Sequence, residues 1–250
     1  MHSPGKIAFS IFGLDVAWYG ILIGFGFLLA TLISYKRAPK HGINPDFILD
    51  LILWMIPAAI IGARAYYVIF QWDYYAGDWA KIFDVRGGGL AIHGGLILCF
   101  LVGYFVCRRH KESFLATADL AAVVIPLAQA IGRWGNFFNE EAHGMQTDLP
   151  WAQIIDGIGY HPTFLYESIW CFCLFWFLLW FDDHKRSFDG QMISLYMMLY
   201  SVERFFVEGL RTDSLMVGPL RQAQLLSLGL IAAGIALYVF FKKRTGRYLP

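Results

Sequence analysis

Seven apolar stretches constrain this 250-residue chain more than anything else in it. They run approximately 14–34, 47–71, 90–107, 118–138, 163–181, 191–207 and 220–241. Each is close to the roughly 20 residues of helix that a bilayer's hydrocarbon core demands. A backbone in hydrocarbon must satisfy its own N–H and C=O groups, and runs of this length and apolarity do so as helices. The expected fold is therefore an all-α polytopic membrane protein with seven transmembrane helices. Composition agrees, since 58% hydrophobic and 16% charged residues lie outside the soluble range. A net charge of +1 leaves no basic excess for phosphate backbones and excludes a nucleic-acid partner.

Basic residues gather in every second loop. Lys36, Arg37 and Lys40 follow the first span; Arg108, Arg109 and Lys111 the third; Lys185 and Arg186 the fifth; Lys242, Lys243, Arg244 and Arg247 close the chain. Cytoplasmic loops carry such an excess, so the N-terminus is expected outside and the C-terminus in the cytoplasm. The charges follow the first apolar run instead of preceding it, which is not the order of a cleaved signal. No internal repeat, linker or low-complexity segment stands out. Residues 1–250 read as a single integral membrane domain, with 139–162 as a small periplasmic head or lid between spans four and five. Cys99, Cys107, Cys171 and Cys173 lie in apolar runs and read as small packing groups, not as a disulfide or metal framework.

On this topology the second, fourth and sixth spans run outward, which puts Arg64, Arg133 and Arg204 in their outer halves. Tyr19 and His93 begin inward-running spans and fall on the same side. A charge at the centre of a membrane helix costs about 2.5 to 3.5 kcal/mol on insertion scales and marks a pathway or site. The densest polar segment is Gly132-Arg-Trp-Gly-Asn-Phe-Phe-Asn-Glu-Glu-Ala-His-Gly144. In a helix, Arg133 and Asn136 share one face, while Gly132 and Gly135 thin it for close approach. In the sixth span Tyr200, Arg204 and Glu208 recur at i, i+4 and i+8, a single polar stripe.

Two arginines reaching one outer pocket suit a phosphate, which each can grip bidentately. Arg204 also has Glu203 and Glu208 within pairing distance along its helix. For Arg64, snorkelling or a structural ion pair competes with a binding role. His93 sits among glycines that allow close backbone approach, without the Gly-Lys-Ser/Thr of a P-loop. It is either a proton acceptor near neutral pH or an ordinary hydrogen-bonding histidine. His161 reads as structural, beside a proline placed where a helix start tolerates it. A secondary transporter or channel with an anion site is the alternative, but such sites lie near the midplane between repeated halves. A retinal-type receptor would need a lysine in the last span, and 220–241 has none.

These residues resemble the prolipoprotein diacylglyceryl transferase family. Segment 132–144 is similar to that family's signature Gly-Arg-x-Gly-Asn-Phe-x-Asn-x-Glu-x-x-Gly. Further matches follow in order along nearly the whole chain: Trp18-Tyr19-Gly20, Gly62 with Arg64 and Tyr67, His93-Gly94-Gly95, Asp119, His161-Pro162-Thr163 with Leu165-Tyr166-Glu167, and Tyr200 to Glu208. The resemblance implies an enzyme of the bacterial cytoplasmic (inner) membrane, its active site toward the outer leaflet. Such an enzyme moves the diacylglyceryl group of phosphatidylglycerol onto the lipobox cysteine thiol of a preprolipoprotein and releases glycerol phosphate, needing no metal or cofactor.

By the same resemblance Tyr19, His93, Arg133, Asn136, Glu141, Gly144, Tyr200, Arg204 and Glu208 match positions the family uses, and Arg64 joins the candidates for binding phosphatidylglycerol. Arg133 and Arg204 are expected to hold the lipid phosphate while His93 takes the thiol proton, directly or through Tyr19 or water. Three places depart from the family pattern. Phe164 replaces a polar Gln, Glu203 an apolar residue, and Ala223-Gln224 a Gly-Gln pair; Glu203 bears on the charge balance around Arg204.

Overall fold

A computed structural model describes residues 1–85, 88–212 and 215–246. Arg86, at the start of the glycine-rich stretch, and Arg247, in the terminal basic cluster, lie outside the described residues. Each expected span coincides with a long helix: α1 (Trp18–Arg37), α2 (Pro45–Phe70), then, after the short α3 (Trp72–Tyr75) and α4 (Trp79–Phe83), α5 (Ile92–His110), α6 (Phe114–Asn139), α7 (Thr163–His184), α8 (Gln191–Leu210) and α9 (Gln222–Gly246). Six of these, all but α8, are long and apolar enough to cross a membrane. α8 is 20 residues long, but its C-terminal half carries Glu203, Arg204 and Glu208.

The described residues also form three small antiparallel hairpins that the all-α expectation omitted: β1 (Ile7–Ile11) with β2 (Leu14–Ala17), β3 (Gln153–Ile155) with β4 (Ile158–Tyr160), and β5 (Met216–Val217) with β6 (Leu220–Arg221). The first two turn through Phe12-Gly13 and Asp156-Gly157, whose φ values of 51°, 79°, 49° and 81° are all left-handed. Two consecutive positive φ angles give the turn whose twist matches paired strands, and Asp-Gly between isoleucines is its strongest sequence signal. Segment 139–162 therefore contains a hairpin. Residues 1–3 lie along it, with His2 bridging Ile154 in parallel and Ser3 Oγ donating to the Phe138 carbonyl.

Contacts gather the chain into two compact units, residues 1–34 with 118–250, and residues 35–117. In the first, Ala122, Val123 and Val124 of α6, Leu174 and Leu178 of α7 and Met192 of α8 form a buried core. α1 lies directly on α6: Gly26 faces the backbone of Ala128, and a Cβ at Gly135 would overlap the Tyr19 ring. Small residues let helix backbones meet in this way where lipid offers no hydrophobic drive. Asp119, fully buried in α6, accepts from the backbone N–H groups of Gly190 (2.8 Å) and Ile193 (3.0 Å). It thereby satisfies donors that the start of α8 would leave unpaired.

In the second unit α2 and α5 pack glycine to glycine. A Cβ on Gly62 would strike the Gly94 carbonyl, and one on Gly94 the Gly62 carbonyl. This contact sets the start of α5, where His93 sits. The helices α2 and α6 also share a pattern that the reading of the sequence as free of repeats passed over. Asp50-Leu51, Ile56-Pro57, Ala59 and Arg64 recur 69 residues later as Asp119-Leu120, Ile125-Pro126, Ala128 and Arg133. Each helix is 26 residues long with an interior proline.

Candidate active site

In the first unit three helices bring their charges together. Arg133 from the last turns of α6 and Arg204 from α8 meet on one carboxylate, Glu167 of α7. Oε2 of Glu167 pairs with Nε of Arg133, and Oε1 accepts from Nη1 of Arg204 at 2.5 Å. Arg204 Nη2 also pairs with Glu208 Oε2 one turn further along α8, and Arg133 Nη2 donates to the Tyr200 hydroxyl at 3.3 Å. The i, i+4, i+8 stripe of α8 explains why Tyr200, Arg204 and Glu208 arrive on the same side.

Two guanidiniums offset by two carboxylates meet the main demand of a buried charge cluster, that no ion be left unpaired. The exposures differ in a useful way. The arginine side chains remain 24% and 19% exposed, the Glu167 and Glu208 side chains only 3% and 6%. Each guanidinium has five N–H donors, and among the described residues these contacts engage two from each arginine. The accessible edge of the cluster is therefore cationic and still able to donate. Glu203, the departure noted in the sequence, is a third buried carboxyl here, and neither of its oxygens has a hydrogen-bond partner among the described residues.

Beyond the end of α6 the chain turns sharply, with Glu140 and Ala142 at φ 56° and 57°. Glu141 Oε1 accepts from the amides of Asn136 (3.0 Å) and Asn139 (3.2 Å). Gly144 donates its N–H to the His161 carbonyl at 2.9 Å, and a Cβ there would press on His161, Thr163 and the Leu210 carbonyl. Its role is close packing of the segment after α6 against the ends of α7 and α8. Thr163 Oγ1 donates to the Ala142 carbonyl, a second tie between that segment and α7. Trp134 Nε1 donates to Ser168 Oγ (3.1 Å), which donates in turn to the Ala130 carbonyl (2.8 Å), locking α6 to α7 beside the ion pairs. His161 Nδ1 lies 3.2 Å from the Tyr166 hydroxyl, which also accepts from Trp151 Nε1 at 3.1 Å. Tyr19 packs on Gly135 and is 39% exposed.

Arg64 and His93 belong to the second unit. Arg64 is 8% exposed, and its guanidinium is held by four backbone carbonyls: Ile82, Gly88 and Gly89 at 2.9 Å and Lys81 at 2.5 Å. It also lies 5.0 Å from the Tyr75 ring centre. Four of its five N–H groups are thus committed to folding the segment after α3 back onto α2. Asp78 supports that segment by capping α4, accepting from the Lys81 backbone N–H at 3.2 Å. That hydrogen bond, with the Lys81 charge, holds the Asp78 carboxyl below the usual carboxylate range. His93 is the second residue of α5, with an exposed ring whose centre is 6.2 Å from that of Tyr66.

Sequence reasoning named Glu167 only within a family match and did not pair it with the two arginines it joins here. The signal was present, for an acid a turn inside an apolar span needs a partner, and the nearest unexplained cations were the two arginines. No group of three or more His, Cys, Asp or Glu side chains is placed to hold a metal ion among the described residues.

Six membrane-length apolar helices among the described residues, together with a carboxylate-locked arginine pair on α6 and α8 that keeps open donors, define a polytopic membrane protein with a candidate centre for an anionic group. Comparison with known proteins then gives the family. A model of the prolipoprotein diacylglyceryl transferase family matches residues 6–240. The chain is 51% identical over 239 residues to the phosphatidylglycerol–prolipoprotein diacylglyceryl transferase of Finegoldia magna, covering 96% of both chains. It is 52% identical to the protein of that name from Clostridioides difficile, again over 96% of both. With the one from Gloeobacter violaceus it shares 45% identity, over 98% of this chain and 96% of the relative. The chain belongs to the prolipoprotein diacylglyceryl transferase family.

Proposed function

We infer that this protein transfers the diacylglyceryl group of phosphatidylglycerol to prolipoproteins, the activity carried in the names of its near full-length relatives. The acceptor is the lipobox cysteine thiol and the product released is glycerol phosphate, the first step of bacterial lipoprotein maturation. One observation carries the reading onto this chain's own residues. Arg133 and Arg204 meet on a single carboxylate, so they stand close enough to share a single phosphate.

The thiol sulfur forms a bond to the glyceryl carbon as the bond from that carbon to the phosphate oxygen breaks. The phosphate leaves with the electron pair and changes from a diester to a monoester, gaining negative charge. Donors already aimed at growing charge in a water-poor site are worth far more than in water. The open N–H groups of Arg133 and Arg204 supply them. Asn136, Glu141, Tyr200 and Glu208 order the surrounding seat, and Gly144 holds the segment after α6 in place. The thiol, with an ordinary pKa of about 8.5, passes its proton to His93, directly or through Tyr19 or water. The resemblance and the exposed ring at the start of α5 support that assignment. Arg64, its donors taken by carbonyls, acts on the lipid only through the loop it holds.

The basic clusters support an N-out, C-in topology in which α8 is the sixth of seven spans, and 1–250 is read as a single membrane domain. The reaction then takes place at the outer leaflet of the cytoplasmic membrane, beneath the 139–162 head. The test is mass spectrometry of a lipobox peptide incubated with the protein and phosphatidylglycerol. The expected result is a mass gain equal to diacylglycerol less water. Solute flux in proteoliposomes with no change in peptide mass would point to a transporter instead.

A further inference from the structure

We propose that Glu167 is a positioning residue, a buried carboxylate that sets the separation of the Arg133 and Arg204 guanidiniums so that both present open donors to one phosphate. The inference rests on the reading that this phosphate belongs to phosphatidylglycerol.

Glu167 is only 2% exposed, so it is closed off from lipid and peptide. Its two oxygens serve different helices, one Arg133 of α6 and the other Arg204 of α8, while Glu167 itself stands on α7. An ordinary ion pair orients one cation; this carboxylate orients two at once. Its own position is over-determined, since the next residue, Ser168, is bonded to both Ala130 and Trp134. Without its charge the arginines have separate places to go, Arg204 to Glu208 and Arg133 to Tyr200. They would then repel each other with no anion between them. The cluster would keep both cations and lose their spacing, which is the property that a shared phosphate reads.

The experiment compares Glu167→Gln, Glu167→Asp, Arg204→Ala and the double variant Arg204→Ala/Glu167→Gln in membranes supplied with phosphatidylglycerol and a lipobox peptide. Glu167→Gln is expected to lower kcat by about 10²-fold, the scale of losing one preorganised donor, and to raise KM less. Glu167→Asp is expected to recover part of the loss. In the Arg204→Ala background the Glu167 substitution should cost far less, because its effect runs through the arginine pair. Effects that multiply to within about a factor of two would overturn the proposal.

Mass-spectrometric labelling of arginines by phenylglyoxal, in detergent and without lipid, gives a second readout. Arg133 and Arg204 should both react faster in Glu167→Gln than in the wild type, and equal labelling would overturn the spacing role. If Glu167→Gln does not fold, Glu167→Asp carries both measurements, and unchanged kcat with unchanged labelling overturns the proposal. Failure of the wild type to lipidate the peptide would sink the parent reading alone, and the labelling would still decide the role of Glu167.

Discussion

Arg64 and Arg133 occupy equivalent places in two helices of the same length, each on the C-terminal side of an interior proline. Their surroundings differ in one chemical respect. Arg64 meets backbone carbonyls, which use four of its donors and leave its charge spread over neutral dipoles. Arg133 meets a carboxylate that it shares with Arg204, which cancels charge while using few donors. A guanidinium with four donors on carbonyls has one left to give, whereas one neutralised by a shared carboxylate keeps most of its donors and can still take an anion. Two arginines that look alike on a helix thus end in different states, one holding a loop and the other keeping open donors.

The comparison breaks most visibly at Arg133. Arg133→Lys or Arg204→Lys keeps the charge but loses the planar fork, and transfer should fall about 10²- to 10³-fold. Near-normal transfer by either variant in the lipobox-peptide assay would end the argument for a bidentate grip. Arg64→Lys is expected to act on stability instead, costing about 3 kcal/mol as several charge-assisted bonds are lost. Thermal unfolding in detergent and protease cleavage between residues 71 and 89 would record it. Transfer per folded molecule should suffer less than in Arg133→Lys, and an equal loss would erase the distinction between the two arginines.

Smaller effects sharpen the same contrast. Glu203→Leu removes a buried carboxyl with no hydrogen-bond partner among the described residues. It should stabilise the protein by about 1 to 2 kcal/mol, because an unsatisfied polar group is costly to bury. Transfer should hold; a large loss would bring Glu203 into the site alongside Glu167.

The least effect is expected at Asp78, on the Arg64 side. Its carboxyl titrates lower in the folded protein than the usual value of about 4, so its contribution is present above that value and lost as pH falls through the folded one. The protection of the α4 amides against hydrogen exchange, relative to the intrinsic rate at each pH, should therefore fall on acidification below pH 4. In Asp78→Asn that pH-dependent fall should be absent.

Much of this was legible without coordinates, because a membrane reduces the possible backbones to very few. The length and apolarity of the seven runs located every long helix to within a few residues. The stripe Tyr200, Arg204, Glu208 followed from helical spacing alone. The Asp156-Gly157 turn was equally legible, but its three-residue strands are too short to show a period. The repeated Asp-Leu, Ile-Pro and Arg pattern of α2 and α6 was missed for a related reason, since its identical positions are scattered among residues that are merely apolar.

What the sequence by itself determined is where polar groups enter apolar helices, for periodicity and hydrophobic length are local properties of the chain. Which partner each group meets was decided only by the tertiary structure. Glu167 lies 34 residues from Arg133 and 37 from Arg204, and only the packing of α7 beside α6 and α8 brings them together. Carbonyls carry no signature in the side-chain code, so the four that claim Arg64 were invisible until the loop after α3 was seen folded over it. Charge placement is written along the chain, but charge compensation depends on contacts that only folding creates.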